Sequence, residues 1–144
     1  MLRPCVITAE NRAGFLPLLP VELTERQDSL LFLGLEEDGL PCGLLAGAPA
    51  GELFELNSLY VAPAHRRRGG GLRLLEVLIS VLEDEPELKK LRCAWRESAE
   101  TEGAAPLFRA AGFAILVEDG GLAAEIPLSP TEDLGYLLAG MDEN

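Results

Sequence analysis

The residues best suited to chemistry in this chain stand together in RRRGGGLRLLEVLI, Arg66 to Ile79. Three arginines run into three glycines, and the glycines run straight into an apolar pattern of helical period. A helix start exposes unpaired backbone N–H groups and the positive end of the helix dipole. Glycines there allow an anion to approach the backbone, and arginines beside them add charge. The arrangement predicts a phosphate cradle, with N–H groups from Arg68 to about Arg73 converging on the ligand. A side chain at Gly69 or Gly71 would keep phosphates out, and Arg66, Arg67 and Arg68 are placed for charge-assisted contacts. His65 on the same loop is read as a bystander.

A second candidate is Glu55, a carboxylate within the largely apolar stretch ELFELNSLYVAP, 52–63. A charge there is costly unless it is paired or has a task. Strand alternation places Asn57 on the same face, two residues on.

The elements that must position these groups read as follows. LRPCVI (2–7) is a first strand, and residues 11–26 are helical pieces broken at Pro17 and Pro20. Residues 30–38 and 40–48 form a hairpin around Asp38-Gly39, and a turn at Pro49–Gly51 leads to the strand carrying Glu55. A helix spans 70–83, with Arg73, Glu76, Ser80 and Glu83 as a narrow polar stripe and a wide apolar remainder that suits packing on a sheet. KKLRCAW (89–95) is a strand, 101–111 a short helix closed by Gly112, and 113–119 with 122–128 a last hairpin around Gly120-Gly121. Ser129, Pro130 and Glu132 form a capping box for a final helix with an apolar face of Leu134, Leu137 and Leu138. The expected architecture is α/β, one mixed central sheet of about six or seven strands flanked by helices. Residues 1–128 make a single domain, and 129–144 a C-terminal helix and tail packed on it or at a dimer contact.

Composition narrows the function. A net charge of −12, from 24 acidic and 12 basic residues, argues against nucleic acid as a partner and suits a cationic acceptor. No apolar run approaches the ~20 residues of a membrane span, and the first residues lack the apolar core of a signal peptide. The expected location is the cytoplasm. Cys5, Cys42 and Cys93 lack metal-binding spacing and are read as reduced, buried thiols. No metal site is expected. The Walker pattern is absent, and the glycine run does not fit the dinucleotide fingerprint.

The stretch LYVAPAHRRRGGGLRLL (59–75) resembles the acetyl-coenzyme A signature of the GNAT superfamily of N-acetyltransferases, Q/R-x-x-G-x-G/A between the fourth strand and third helix. Here that signature reads Arg66-Arg67-Arg68-Gly69-Gly70-Gly71. APLFRAAGF (105–113) resembles a second motif of the family, A-x-x-L-Y-x-x-x-G-F, and the element order resembles that fold over nearly the whole chain. The resemblance implies acetyl-CoA as co-substrate, its phosphates on Arg66 to Arg73, including Leu72. It implies a bulged, splayed strand whose end, Leu59, Tyr60 and Val61, lines the pantetheine arm and polarises the thioester carbonyl. Glu55, eleven residues before Arg66, stands where several members place a general base acting through a water. Thr101 and Phe108 fall at family positions beside the cofactor that often hold Asn and Tyr. Phe108 has no proton to give a leaving thiolate.

The reading is direct acetyl transfer to the amine of a small, cationic molecule. Its rivals are a GNAT-fold module that binds acyl-CoA without turnover, and a homodimerisation domain using the apolar faces of 15–23 and 134–138.

Overall fold

The computed structural model describes residues 1–98 and 101–128; the C-terminal helix expected after Ser129 lies outside the described residues. Seven strands form one sheet in the order β1-β2-β3-β4-β5-β7-β6. They are β1 (Leu2–Val6), β2 (Leu31–Glu37), β3 (Leu40–Ala50), β4 (Leu53–Val61), β5 (Lys90–Trp95), β6 (Ala114–Glu118) and β7 (Gly121–Pro127). All neighbours are antiparallel except β4 and β5, which run parallel and therefore need a crossover. That crossover is helix α3 (Gly70–Leu82).

Local chemistry accounts for most boundaries. Asp38 and Gly39 both take positive φ (53° and 81°), the geometry of a two-residue hairpin turn that suits the twist of β2 and β3. The region 11–29 divides at its prolines into α1 (Arg12–Phe15), a 3-10 turn at Leu16–Leu18, α2 (Val21–Thr24) and a second 3-10 turn at Gln27–Ser29. Pro17 is the second residue of the first 3-10 turn and Pro20 precedes α2, positions where a missing N–H costs nothing. Two turns differ from the sequence expectation. Pro49 lies within β3, opposite Phe54, and Gly51-Glu52 make the turn. The last hairpin turns at Asp119-Gly120, because Glu118 pairs with Gly121. Helix α4 is shorter than expected, Ala104–Ala110.

The sheet is covered on both faces. On one, α3 buries Leu74, Leu75, Leu78 and Leu82 against Leu33, Leu35, Leu45, Phe54, Leu56 and Leu91. Phe108 of α4 joins this cluster with Phe113. On the other, Phe15, Leu19, Leu23 and Leu30 pack over Leu44 and Ala46. Gly34 is required there, because a Cβ would stand 2.6 Å from the Phe15 ring. Cys42 is buried, Cys5 and Cys93 are half-buried, and all three are free thiols.

Candidate active site

The site begins where the sheet stops being continuous. β4 and β5 pair only at Leu53–Lys90, Phe54–Leu91 and Glu55–Arg92. Beyond that point Leu56 to Val61 continue along β3, while Cys93 to Trp95 continue along β7. The two strands part, leaving a slot in the middle of the sheet with Glu55 at its apex.

A bulge shapes the β4 side of the slot. Ala46 pairs with Ser58 but Gly47 with Leu56, so Asn57 is an extra residue with no opposite number. Alternation holds from exposed Glu55 through buried Leu56 to exposed Asn57, and the bulge breaks it just beyond Asn57. Leu59 and Val61 consequently pack with the same core cluster as Phe54 and Leu56. The Ala62 N–H donates to the Cys42 carbonyl on β3 at 2.8 Å. In an extended trans chain the Val61 carbonyl and N–H then point the other way, toward the slot, as does the Leu59 N–H. Tyr60 N–H does not share that direction.

Glu55 is exposed, on the face opposite Phe54 and Leu56, and among the described residues it has no ion-pair partner. Its cross-strand neighbour Arg92 is engaged elsewhere, donating to Glu125 at 2.5 Å and to Glu118. Next along β5, burial pushes the Cys93 thiol up to about 12, with Arg92 opposing and the Glu55 charge adding to the rise. Cys93 is therefore an inert wall residue at neutral pH.

The glycine run divides its labour. Gly69 is the residue before α3 and takes φ +82°, with open space where a Cβ would lie. Gly70 is a packing residue, since a Cβ there would stand 2.5 Å from Leu35 and 3.2 Å from Leu2. Gly71 brings α3 against α4, with Leu107 3.2 Å from its Cβ position. The N–H groups of Gly70, Gly71 and Leu72 have no intrahelical acceptor, as in any first helical turn. Arg73 departs from the expectation: its N–H is already bonded to the Gly69 carbonyl at 3.0 Å, which leaves only its exposed side chain for a ligand.

The three arginines are also not equivalent. Arg66 Nε donates to the slot-facing Val61 carbonyl at 2.6 Å, and its guanidinium lies 5.5 Å from the Tyr60 ring centroid. Arg68 makes a two-pronged contact with Glu37, at 2.8 Å on one side. Arg67, held at φ +62°, is exposed and without a partner among the described residues. His65 is not isolated, its Nε2 lying 3.4 Å from Glu37. Arg68 holds the Glu37 carboxyl down to about 2, with the N-terminal ammonium assisting. Glu37 is the residue that sequence reading missed. It ends a strand 31 positions before Arg68, and nothing in its neighbours signals the contact.

On the β5 side, Phe108 is buried, stacked on Trp95 and edge-on to Phe113. Thr101 accepts from the Ser98 N–H at 2.9 Å and donates to the Arg96 carbonyl at 2.9 Å, tying the loop between β5 and α4. No group of potential metal ligands occurs among the described residues.

A sheet splayed beside a bulged strand, followed by a glycine-led helix start, is an arrangement that fits the fold of an acyl-CoA-dependent acyltransferase. The model of the acetyltransferase (GNAT) family matches residues 6–113, and the chain belongs to that family. An acetyl-CoA co-substrate fits this family. Among solved structures, the ribosomal-protein-S18-alanine N-acetyltransferase of Escherichia coli superposes with a TM-score of 0.69 at 21% identity, covering 90% of this chain and 95% of its own. A GNAT family acetyltransferase from Elizabethkingia anophelis, solved with acetyl-CoA bound, gives 0.69 at 18% identity, covering 88% and 98%. The PaiA N-acetyltransferase of Thermoplasma acidophilum, in complex with coenzyme A, gives 0.66 at 12%, covering 88% and 99%. At these identities the likeness is one of fold. No curated protein matches the chain. No helix among the described residues is long and apolar enough to cross a membrane.

Proposed function

We propose that this chain is an acetyl-CoA-dependent N-acetyltransferase that acylates the amine of a small, cationic molecule directly. The observation that carries the reading is the slot itself: β4 and β5 separate just past Glu55. The open edge there offers the Leu59 and Val61 N–H groups to an amide-bearing arm, as a sheet edge accepts a strand. The first turn of α3 offers Gly70, Gly71 and Leu72 N–H groups to a pyrophosphate, with the exposed Arg67 and Arg73, unpaired among the described residues, to add charge. The thioester supplies an activated acyl group. A slot-facing N–H of β4 polarises its carbonyl, the amine nitrogen bonds the carbonyl carbon, and the carbon–sulfur bond breaks. Glu55 takes the proton lost by the amine through a water, for which its exposure and unpaired state suit it. The departing sulfur leaves as thiolate or takes its proton from solvent, because Phe108 has none to give. The acidity of the chain, −12 overall, favours a positively charged acceptor.

Calorimetric titration with acetyl-CoA, followed by thiol release across a panel of amines, tests the reading. Binding with turnover of a cationic amine supports it. Absence of binding sinks it. A second reading, binding without turnover, is favoured by the aromatic cluster that fills the Tyr position with Phe108; it requires binding with no thiol released by any amine.

A further inference from the structure

We infer that Glu37 is a positioning residue for the phosphate loop, presetting the segment His65–Gly69 for an anionic ligand by gripping Arg68 and lying against His65. The inference rests on reading Gly70 to Leu72 as the phosphate site. Glu37 lies at the end of β2, and its side chain is 16% exposed. Its two oxygens take both terminal nitrogens of Arg68, and a fork of this kind fixes distance and plane together, which a single contact does not. The other end of the loop reaches the same carboxylate through His65 Nε2 at 3.4 Å. Among the described residues His65 Nδ1 is buried without a hydrogen-bond partner, and Glu37 is the carboxylate beside that ring.

The loop needs such a restraint. On either side of the held Arg68, Arg67 adopts φ +62° and Gly69 φ +82°. A left-handed conformation is disfavoured for a residue with a Cβ, so Arg67 keeps it only where its surroundings impose it. An acidic residue beside an anion site is otherwise a poor choice. With Arg68 neutralising it, Glu37 contributes geometry rather than charge. It also commits Arg68 to the scaffold and leaves Arg67, which the loop turns outward, for the ligand.

The test is calorimetric titration of wild type, Glu37→Gln, Glu37→Asp, Arg68→Gln and the Glu37→Gln/Arg68→Gln double variant. Two ligands are used, acetyl-CoA and S-acetylpantetheine, which has the same arm but no phosphates. Expected is a loss of acetyl-CoA affinity of about tenfold or more in Glu37→Gln. A similar loss is expected in Glu37→Asp, whose carboxylate is too short to keep the fork. The double variant should be no worse than the single ones. Affinity for S-acetylpantetheine should not move in any variant. If Glu37 instead competes with phosphate for Arg68, Glu37→Gln binds acetyl-CoA equally or more tightly, which overturns the inference. Equal losses for both ligands overturn it too, as a general effect on folding. A wild-type protein that binds no acetyl-CoA overturns the phosphate-site reading and this inference together. Wild-type binding with an indifferent Glu37→Gln overturns this inference alone.

Discussion

Phe108 lies flat against Trp95, ring centroids 5.3 Å apart and planes 17° from parallel, while Phe113 meets it edge-on at 5.0 Å. The stack joins α4 to β5, on the side of the slot away from β4. Phe108→Ala removes a ring that is 3% exposed and leaves a cavity in the larger core cluster. Unfolding in urea should show a loss of about 3–5 kcal/mol. A loss below about 1 kcal/mol would mean that the stack does not hold α4 in place.

Glu55 is exposed and unpaired among the described residues, so its removal should leave the fold alone. Glu55→Gln is expected to lower the acetylation rate by roughly 10²-fold or more. The same variant should keep acetyl-CoA affinity and stability within about 0.5 kcal/mol of wild type. Since position 108 carries no phenol, the wild-type rate should climb with pH as the amine deprotonates. It should show no falling limb at a tyrosine's usual pKa of ~10. A Glu55→Gln protein with the wild-type rate across pH would remove Glu55 from the chemistry.

The three glycines should separate by experiment. Gly70→Ala drives a Cβ into Leu35 and is expected to cost about 1–3 kcal/mol of stability. Gly69→Ala meets nothing and carries only the strain of φ +82°, about 1–2 kcal/mol. Gly71→Asp sets a carboxylate among the first-turn N–H groups, and acetyl-CoA binding should be strongly impaired. Unchanged calorimetric affinity in a folded Gly71→Asp protein would displace the phosphates from this turn.

Glu37 makes stability depend on acid. Its carboxyl is lowered from 4.5 to about 2 in the folded chain. The folded state therefore binds this proton less readily than the unfolded state does. The stabilisation is fully present above about 4.5 and is lost as pH falls through about 2. Denaturation followed across that window should show a shallower decline in Glu37→Gln than in wild type. Parallel declines would mean the carboxylate is not held as the structure has it.

Much of this was legible before the structure, and the reasons differ by element. The hairpin at Asp38-Gly39 and the helix from Gly70 follow from local rules, a turn dipeptide and an apolar stripe, that tertiary context did not override. The glycines marked the helix start correctly, yet their separate duties did not show, because Gly70 is required by Leu2 and Leu35, residues distant in the chain. By spacing alone the arginines are one group, all placed for charge-assisted contacts. Their division among Val61, Glu37 and solvent depends on partners that spacing does not reveal. The bulge at Asn57 has no local signature either; it appears only as a mismatch between two strands.

The parting of β4 from β5 has a consequence for the protein's life without ligand. Interior strands of a sheet normally have both edges satisfied, and templates for adventitious pairing are confined to the margins. Here the edge of Leu56 to Val61 that faces away from β3 pairs with no strand among the described residues, and it lies in the fourth of seven strands. Arg66, donating to the Val61 carbonyl, blunts one acceptor on it. The Leu59 and Val61 amides should therefore exchange faster than is usual at the centre of a sheet, where slow exchange is the rule. Filling the slot would satisfy that edge, and exchange at the Leu59 and Val61 amides should slow when acetyl-CoA is bound.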